Sequence, residues 1–294
     1  MTQSSTLLAN MSTDSHERVV MAVPITVIIL TLNEEQFIER CIKSVRWADE
    51  VLVIDSCSTD RTREIAASLG ANVYEQKWLG WPGQRNKAIS LAKNDWVFFV
   101  ECDEIVTPQL ARSITETMNG RVDERDAYSV DRRGDFYGLL LPNMSNPKNI
   151  RNFVRMFNRR YSAFDMTMKV HEKILFPGKA IPLQGVLIHW RAYMMDEYIV
   201  VFNRYATVEA EMLYEKGCRA NAFIIFLRPI LRFLWCYIAR GGIRLGTRGL
   251  IHALLQATSE FIRYSKLWEM QNATPTLHPP VHIYNGPSVT SQLT

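Results

Sequence analysis

Paired cysteines, a glycine-rich phosphate loop and an N-terminal apolar leader are all missing from this chain. Its five cysteines are scattered and form no CxxC pair, which is typical of reduced cytosolic thiols rather than of a disulfide framework or a zinc site. No GxGxxG follows the first predicted strand, which excludes an NAD-type Rossmann domain. A nucleotidyltransferase is disfavoured because a lysine-containing phosphate loop is also lacking there. Since no charged region precedes an apolar one at the N-terminus, we expect no signal peptide.

Charge of both signs is present in ordinary amounts but is unevenly distributed. Between residues 217 and 268, eight basic residues accompany one acid, Glu260, so this segment carries +7 and the rest of the chain −3. The asymmetry predicts that the last part of the chain meets an anionic partner. Because no recognisable nucleic-acid motif accompanies the basic residues, we expect no nucleic-acid partner.

Short apolar, β-branched runs alternate with amphipathic segments in the first hundred residues. Strands are predicted at 25–31, 50–55, 72–75 and 96–100, with helices between them, and Asn33 is expected to cap the first helix. Unbroken apolar runs of this length are typical of strands buried on both faces. The short connections predict right-handed βαβ units and therefore an α/β fold with a mostly parallel sheet flanked by helices.

Polar side chains follow three of these strands, at residues 31–34, 55–60 and 101–104. The carboxyl ends of parallel strands meet at one edge of a sheet, where open α/β sheets bind ligands. Carboxylates such as Glu101, Asp103 and Glu104 are costly there unless they bind a metal, a cation or a substrate hydroxyl. The alternative for residues 101–104 alone is a solvated acidic turn, but the convergence of three polar clusters favours a binding site.

A family resemblance is carried by residues 27–35 (VIILTLNEE), 53–60 (VIDSCSTD), 83–86 (GQRN) and 101–104 (ECDE). These segments resemble the family 2 inverting glycosyltransferases of the GT-A (Rossmann-like) fold. Later segments are similar to the lipopolysaccharide core-type glucosyltransferase subgroup; they are residues 170–173, 187–190, 202–205, 228–233 and 261–269. The chain departs from the family at Glu101-Cys-Asp103, where Asp-x-Asp is usual, and at Cys57, where glycine is usual.

The resemblance implies a site for the nucleotide of a sugar donor. Thr31, Asn33 and Glu34 would line the pocket, and Asp55 would accept a hydrogen bond from uracil. Two further residues, Arg85 and Asn86, are expected at a helix start, where they would bind the diphosphate or, alternatively, cap the helix.

The resemblance also implies a divalent metal, Mg²⁺ or Mn²⁺, with Asp103 as its expected ligand. Glu101 is expected to bind the ribose or a metal-bound water. His189 follows a predicted strand and is expected either to bind the metal or diphosphate or to serve a structural role.

Inverting transfer requires a base close to the acceptor hydroxyl. By resemblance Glu172 is the expected base, with His171 and Glu104 as rivals. His171 is also open to a structural interpretation. The segment 131–149, expected as a loop, is interpreted either as part of the acceptor cleft or as an ordinary surface loop.

The C-terminal part is strongly apolar and basic. An amphipathic helix is predicted over residues 196–217, followed by an apolar segment at 222–239 in which Arg228 and Arg232 argue against a transmembrane span. We interpret this segment as an interfacial helix on the anionic inner leaflet of the cell membrane. The alternative is a helical hairpin, 222–240 with 243–269, packed on the catalytic domain.

Four regions are predicted: a disordered lead-in (1–22), a GT-A catalytic domain (23–192), a membrane-associating helical region (193–271) and a disordered tail (272–294). The implied function is metal-dependent, inverting transfer of a hexose, with glucose favoured, from a UDP-sugar to a lipid-linked acceptor such as lipopolysaccharide core. The enzyme is expected in the cytoplasm, peripherally associated with the inner face of the membrane. The alternative is a catalytically degenerate GT-A domain acting as a membrane-associated scaffold.

Overall fold

The computed structural model describes residues 23–141, 153–167, 173–191 and 193–272. The chain divides into two compact units. The first unit comprises Met1–Asp135 and Ser145–Arg191, and the second comprises Phe136–Met144 and Ala192–Thr294. The predicted lead-in (1–22), and the predicted tail apart from Asn272, lie outside the described residues.

Strands and helices alternate through the first half of the chain, as predicted. The strands are β1 (Val23–Thr31), β2 (Ala48–Asp55), β3 (Asn72–Glu75), β4 (Trp96–Glu101), β5 (Glu104–Val106), β6 (Ala127–Phe136), β7 (Leu139–Leu140), β8 (Val154–Asn158), β9 (Ala163–Phe164), β10 (Ile174–Leu175) and β11 (Ala180–His189). The helices are α1 (Ile38–Ser44), α2 (Thr62–Ser68), α3 (Trp81–Leu91), α4 (Pro108–Asn119), α5 (Met195–Glu215), α6 (Ala222–Leu234) and α7 (Gly246–Asn272).

The main sheet has the strand order β3-β2-β1-β4-β8-β6-β11-β5, and β7 pairs with β6. Strands β3, β2, β1 and β4 are parallel to one another, whereas β8 is antiparallel to both β4 and β6. Strand β11 is parallel to β6, and the short β5 is antiparallel to β11. The predicted α/β fold is confirmed, with a sheet that is parallel from β3 to β4 and mixed beyond β4.

Both faces of the central sheet are covered, which explains the unbroken apolar runs. Alternate residues of β1 face opposite layers: Val27 and Ile29 join the core that includes residues of α1, α2 and α4. Ile28 joins the other core, which includes Ala88 of α3 and Phe164 of β9. The sheet is therefore a rigid platform whose strand ends have fixed positions.

A bulge in β11 brings its last residue to the edge of the sheet at which β1, β2 and β4 end. The pairing of β11 with β6 shifts register between Pro182 and Val186, and Gly185 has φ +100°. A Cβ atom at this position would lie 2.4 Å from the backbone nitrogen of Leu110, so only glycine allows α4 to pack this closely. The strand then continues to His189, which pairs with Glu104.

The second unit is mainly helical. Arg232 of α6 donates to Gln256 of α7 over 2.8 Å, and Lys266 of α7 donates to Thr207 of α5 over 2.5 Å. A π-helical turn (Trp235–Ala239) and a 3-10 turn (Gly242–Leu245) join α6 to α7. The predicted helices at 196–217 and 222–239 are confirmed to within a few residues.

Helix α6 is unusual because none of its side chains is buried, although it is strongly apolar. Among the described residues, one helical segment, Ala222–Ala239, is long and apolar enough to cross a membrane by length and composition.

Candidate active site

The carboxyl ends of β1, β2 and β4 lie side by side, as the strand pattern predicts. Thr31 pairs in register with Asp55, and Leu30 pairs with Glu101. The segments that follow these strands therefore begin at one edge of the sheet, and the hydrogen bonds among them create the geometry of the site.

Asn33 connects the segment after β1 to the segment after β2. Its backbone has φ 54°, a left-handed conformation that asparagine tolerates. Its N–H donates to Ser58 Oγ over 2.8 Å, and its Oδ1 accepts from the Thr59 N–H over 2.8 Å. The prediction that Asn33 caps the first helix is wrong, because these bonds occupy its side chain and α1 begins only at Ile38, with Phe37 at the capping position.

Asp55 is fully buried at the end of β2. Its Oδ1 accepts from the Ser58 N–H over 2.8 Å, its Oδ2 accepts from the Ser58 hydroxyl, and Arg63 Nε lies 3.7 Å from Oδ1. The carboxylate thus shapes the turn that follows β2. Cys57 lies inside this turn with φ 68°, where a side chain is strained and glycine is not.

Asp103 has two basic neighbours. His189 Nε2 and Arg191 Nε lie 3.1 Å and 2.6 Å from Asp103 Oδ2. Arg191 also donates to Glu34, so one guanidinium joins the segments after β1 and β4. The backbone holds this arrangement in place, because the Trp190 N–H donates to the Asp103 carbonyl over 2.8 Å.

The pKa values of the two carboxyl groups move in opposite directions. Burial raises the pKa of Asp103, but the hydrogen bonds and charges of His189 and Arg191 outweigh burial and bring it well below its usual range. For Glu34, burial raises the pKa above its usual value and the charge of Asp103 adds to this, although Arg191 opposes it. Asp103 therefore stays ionised down to a lower pH than Glu34 does.

Glu101 faces a different set of cations, on the other side of β4. Arg155 Nη2 and Arg85 Nη2 lie 3.1 Å and 3.8 Å from Glu101 Oε1, and Arg132 Nη2 lies 3.3 Å from Oε2. Burial would raise the pKa of Glu101, but the charges of Arg155 and Arg132 outweigh it and lower the pKa to about 2. We call these three arginines, with Glu101 and Glu104, the arginine cluster.

Glu104 is the fully buried member of the cluster. One of its oxygens accepts from Arg132 Nε over 2.5 Å and from Arg155 Nη2 over 3.2 Å. The other accepts from the Glu101 N–H over 2.8 Å. Such a carboxylate holds two arginines in place and is poorly placed to reach a substrate hydroxyl.

A family model described as "Glycosyl transferase family 2" matches residues 26–170. The chain is also 30% identical over 256 residues to the lipopolysaccharide core biosynthesis glycosyltransferase LpsC of Rhizobium meliloti (strain 1021), covering 84% of this chain and 93% of LpsC. The chain belongs to glycosyl transferase family 2. An uncharacterized glycosyltransferase of Rickettsia prowazekii is equally similar, at 30% identity over 84% of this chain and 87% of the relative.

The mannosyltransferase PcManGT from Pyrobaculum calidifontis, solved in complex with GDP-Man and Mn²⁺, matches with a TM-score of 0.48 and 14% identity. The match covers 85% of this chain and 88% of that chain.

In this family 2 glycosyltransferase, α3 starts earlier than predicted. It begins at Trp81, with Pro82 in the first turn where proline is favoured. Arg85 and Asn86 consequently lie in the second turn, and their predicted position at the helix start is wrong. Asn86 exchanges two hydrogen bonds of 2.9 Å with the backbone of Phe164, so its amide anchors β9.

The residues predicted on the acceptor side lie partly outside the described residues and partly in a strand of the glycosyltransferase. Glu172 and His171 lie outside the described residues, and their roles stay predictions. Of the segment predicted as a loop (131–149), residues 131–136 belong to strand β6, so that part of the prediction is wrong. The charged side chains of β6 make the strand difficult to recognise in the sequence, because the carboxylates that pair with Arg132 are distant in sequence.

Asp103 and His189 are compatible with one divalent ion. Two ligands that bind one ion at about 2.1 Å and at right angles lie about 3 Å apart, and His189 Nε2 lies 3.1 Å from Asp103 Oδ2. A hard cation needs only one or two protein ligands when phosphate oxygens and water complete its shell. Glu101 does not fit such a role, because its oxygens face arginines. No group of three or more metal-ligating side chains occurs among the described residues.

Two residues of the site, Arg155 and Arg191, were not predicted. Arg155 is a lone charge in the apolar strand β8, a pattern that signals a buried ion pair. Nothing in the sequence singled out Arg191 beyond its position two residues after His189.

Proposed function

We propose that this family 2 glycosyltransferase moves a hexose, with glucose favoured, from a UDP-sugar to a lipid-linked envelope glycan such as lipopolysaccharide core, with inversion at the sugar carbon. The observation that carries the proposal is the shared edge at which β1, β2 and β4 end, because Asn33, Asp55 and Asp103 lie at or just after these strand ends. The similarity to LpsC, which spans 84% of this chain and 93% of LpsC, supports the choice of acceptor.

In this proposal the donor lies across the ends of β1 and β2. Asp55 and Asn33 hold the two adjoining turns in shape, which gives the nucleoside a preorganised pocket. Thr31 and Glu34 border the same pocket. Preorganisation contributes to rate because the reacting carbon and the acceptor hydroxyl are then held in line.

Asp103 and His189 are the proposed holders of Mg²⁺ or Mn²⁺. A bound ion supplies positive charge to the departing diphosphate. The side chain of Arg191 already supplies positive charge at this position by contacting both Asp103 and Glu34. The low pKa of Asp103 keeps this carboxylate ionised, as a metal ligand must be.

Ion pairs with arginines make two carboxylates, Glu101 and Glu104, unsuitable as the general base. A general base works best when its pKa lies near the operating pH. Glu101, with a pKa of about 2, is too weak a base, and Glu104 is enclosed by Arg132 and Arg155. Glu172 therefore remains our proposed base, with His171 as its rival.

We further propose that the enzyme works on the cytoplasmic surface of the membrane, through α6. Its exposed apolar residues recur at helical spacing along one side: Phe223, Phe226, Ile230, Leu234 and, in the π-helical turn, Ile238. Phe223 and Phe226 are about 70% exposed. Such a stripe, next to a strongly basic sequence, suits a helix that lies in the interface of an anionic bilayer.

Incubation with a panel of UDP- and GDP-sugars and membrane extracts, scored by mass spectrometry, tests the transfer. The Asp103→Asn variant should lose at least about a hundredfold in kcat/KM, because a metal contributes several kcal/mol of charge stabilisation. It should also lose the Mn²⁺-dependent part of the thermal stabilisation by UDP, a readout that needs no activity. Asp49→Asn, at the opposite end of β2, is the matched control.

Each alternative has its own signature in these experiments. Full activity of Asp103→Asn would overturn the metal assignment. For Glu172→Gln the expected result is lost transfer with unchanged UDP binding. If wild-type protein showed neither transfer nor stabilisation by UDP, the scaffold alternative would replace the enzymatic one.

A further inference from the structure

Trp190 and Arg191 lie just beyond the sheet. Strand β11 ends at His189, and the two residues that follow it belong to no strand. The side chain of Arg191 nevertheless contacts Asp103 and Glu34 at the same time. Contacts other than strand pairing must therefore hold this part of the backbone in place.

Arg40 of α1 supplies one of these contacts. Its guanidinium donates to the Trp190 carbonyl and lies over the Trp190 ring, 4.4 Å from the centroid. The N–H of Trp190 donates to the Asp103 carbonyl over 2.8 Å. Both backbone polar groups of Trp190 are therefore bonded, one to α1 and the other to the segment after β4.

The ring of Phe37 lies next to both Arg40 and Arg191. The Arg40 guanidinium is 4.7 Å from the centroid of this ring, and the Arg191 guanidinium is 5.2 Å from it. The face of an aromatic ring attracts a cation. One ring thus stabilises two positive charges that would otherwise repel each other.

Helix α1 is a firm base for the side chain of Arg40. Its residues Ile38, Cys41 and Ile42 belong to the core on one face of the sheet. The Cys41 thiol also donates to the Glu101 carbonyl over 3.4 Å. Arginine suits the position because a planar guanidinium can stack on a ring and donate hydrogen bonds from its edge, which an ammonium group cannot do.

We propose that Arg40 is a positioning residue for the active site, because it holds Trp190 in place and thereby keeps the side chain of Arg191 against Asp103. A displaced Arg191 would leave the departing diphosphate without this preorganised positive charge. The consequence for donor binding rests on the proposed function, whereas the anchoring of Trp190 does not.

Hydrogen–deuterium exchange of Arg40→Met tests the anchoring without any ligand. Methionine keeps an unbranched, flexible side chain that can pack on the rings, but it lacks the charge and the donor. The protection factor of the amide at position 190 should fall about tenfold, because a hydrogen bond from a charged group is lost at the end of a strand. Lys43→Met, which removes an exposed cation from the same helix, is the matched control and should leave this protection factor unchanged.

The affinity for UDP in the presence of Mn²⁺, measured by titration calorimetry, tests the consequence for the site. Arg40→Met should bind UDP about tenfold more weakly, a loss typical of residues that orient the groups of a metal site without contacting the ligand. Lys43→Met should bind UDP as the wild type does.

An unchanged protection factor at position 190 in folded Arg40→Met would overturn the inference. An equal loss of protection in β1 and β2 would overturn it too, because Arg40 would then stabilise the whole unit rather than position one segment. Lower protection with wild-type affinity for UDP would show that the anchoring does not serve the donor site.

If Arg40→Met does not fold, Trp190→Ala takes its place. Loss of the ring on which Arg40 lies must then lower the protection factor of the same amide, and an unchanged value would overturn the inference. Lower protection in the variants, in a protein whose wild type binds no UDP, would refute only the proposed function.

Discussion

Cys57 shows how a single position can retain strain. Its φ of 68° is set by the turn in which the Ser58 N–H and hydroxyl reach back to Asp55. A residue with a Cβ atom costs about 1–2 kcal/mol in this backbone region. Asn33, at φ 54°, has the same geometry with a side chain that tolerates it. The usual family glycine therefore has a physical reason that Cys57 does not satisfy.

The variant Cys57→Gly should be more stable than the wild type by about 0.5–1 kcal/mol. Relief of the left-handed strain exceeds the extra backbone entropy that glycine loses on folding. Urea unfolding followed by circular dichroism measures the difference. Cys57→Ala keeps the Cβ atom and should give no gain, so an equal gain in both variants would show that the thiol, rather than the backbone, is the source.

At the scale of elements, β1, β2 and β4 were predictable because each contains an unbroken apolar run that is largely buried. The second half of β6, from residue 131 onward, is predicted as a loop because Asp131, Arg132 and Arg133 interrupt the apolar pattern of the strand. The carboxylates that neutralise Arg132 are Glu101 at the end of β4 and Glu104 at the start of β5, and a linear pattern does not reveal such distant partners. For the same reason the sequence suggested Asp103 as a site residue but not the guanidinium of Arg191 beside it.

The double variant Phe226→Asp/Ile230→Asp, which replaces two residues of the apolar stripe on α6, should bind anionic liposomes about tenfold or more weakly. Co-sedimentation measures this binding. Both side chains are exposed, so their loss leaves the folded unit intact, whereas placing carboxylates in the interface is costly. Circular dichroism checks the fold. Leu175→Asp, an exposed apolar position in the first unit, should bind liposomes normally. Equal binding by all variants would mean that α6 does not contact lipid.

For the whole molecule, His252 links stability to pH. Burial lowers the pKa of His252 to about 4, and the charge of Arg232 adds to this effect. The unfolded chain takes up a proton near pH 6.5 that the folded chain does not. The contribution of His252 to the free energy of unfolding is therefore fully present above pH 6.5. It is lost as the pH decreases toward 4, and the loss is about 3 kcal/mol at most.

Urea unfolding at pH 7.0, 5.5 and 4.5 measures this loss. In His252→Phe an aromatic ring still packs against Phe136, but no proton is taken up, so the loss over this pH range should shrink by most of that amount. An identical pH dependence in the variant would show that other groups are responsible.

The helical unit includes a segment from the middle of the chain, Phe136–Met144, which precedes its other residues by about fifty positions. The ring of Phe136 packs against Tyr198 and His252, at centroid distances of 5.1 Å and 5.3 Å. The ribosome synthesises Phe136 well before Tyr198 and His252, so these ring contacts form only after the later residues have been made. Grafting this unit onto another family member accordingly requires the exchange of two segments. A single junction after Arg191 would keep the recipient's own residues in place of Phe136–Met144, and these would not match the grafted helices.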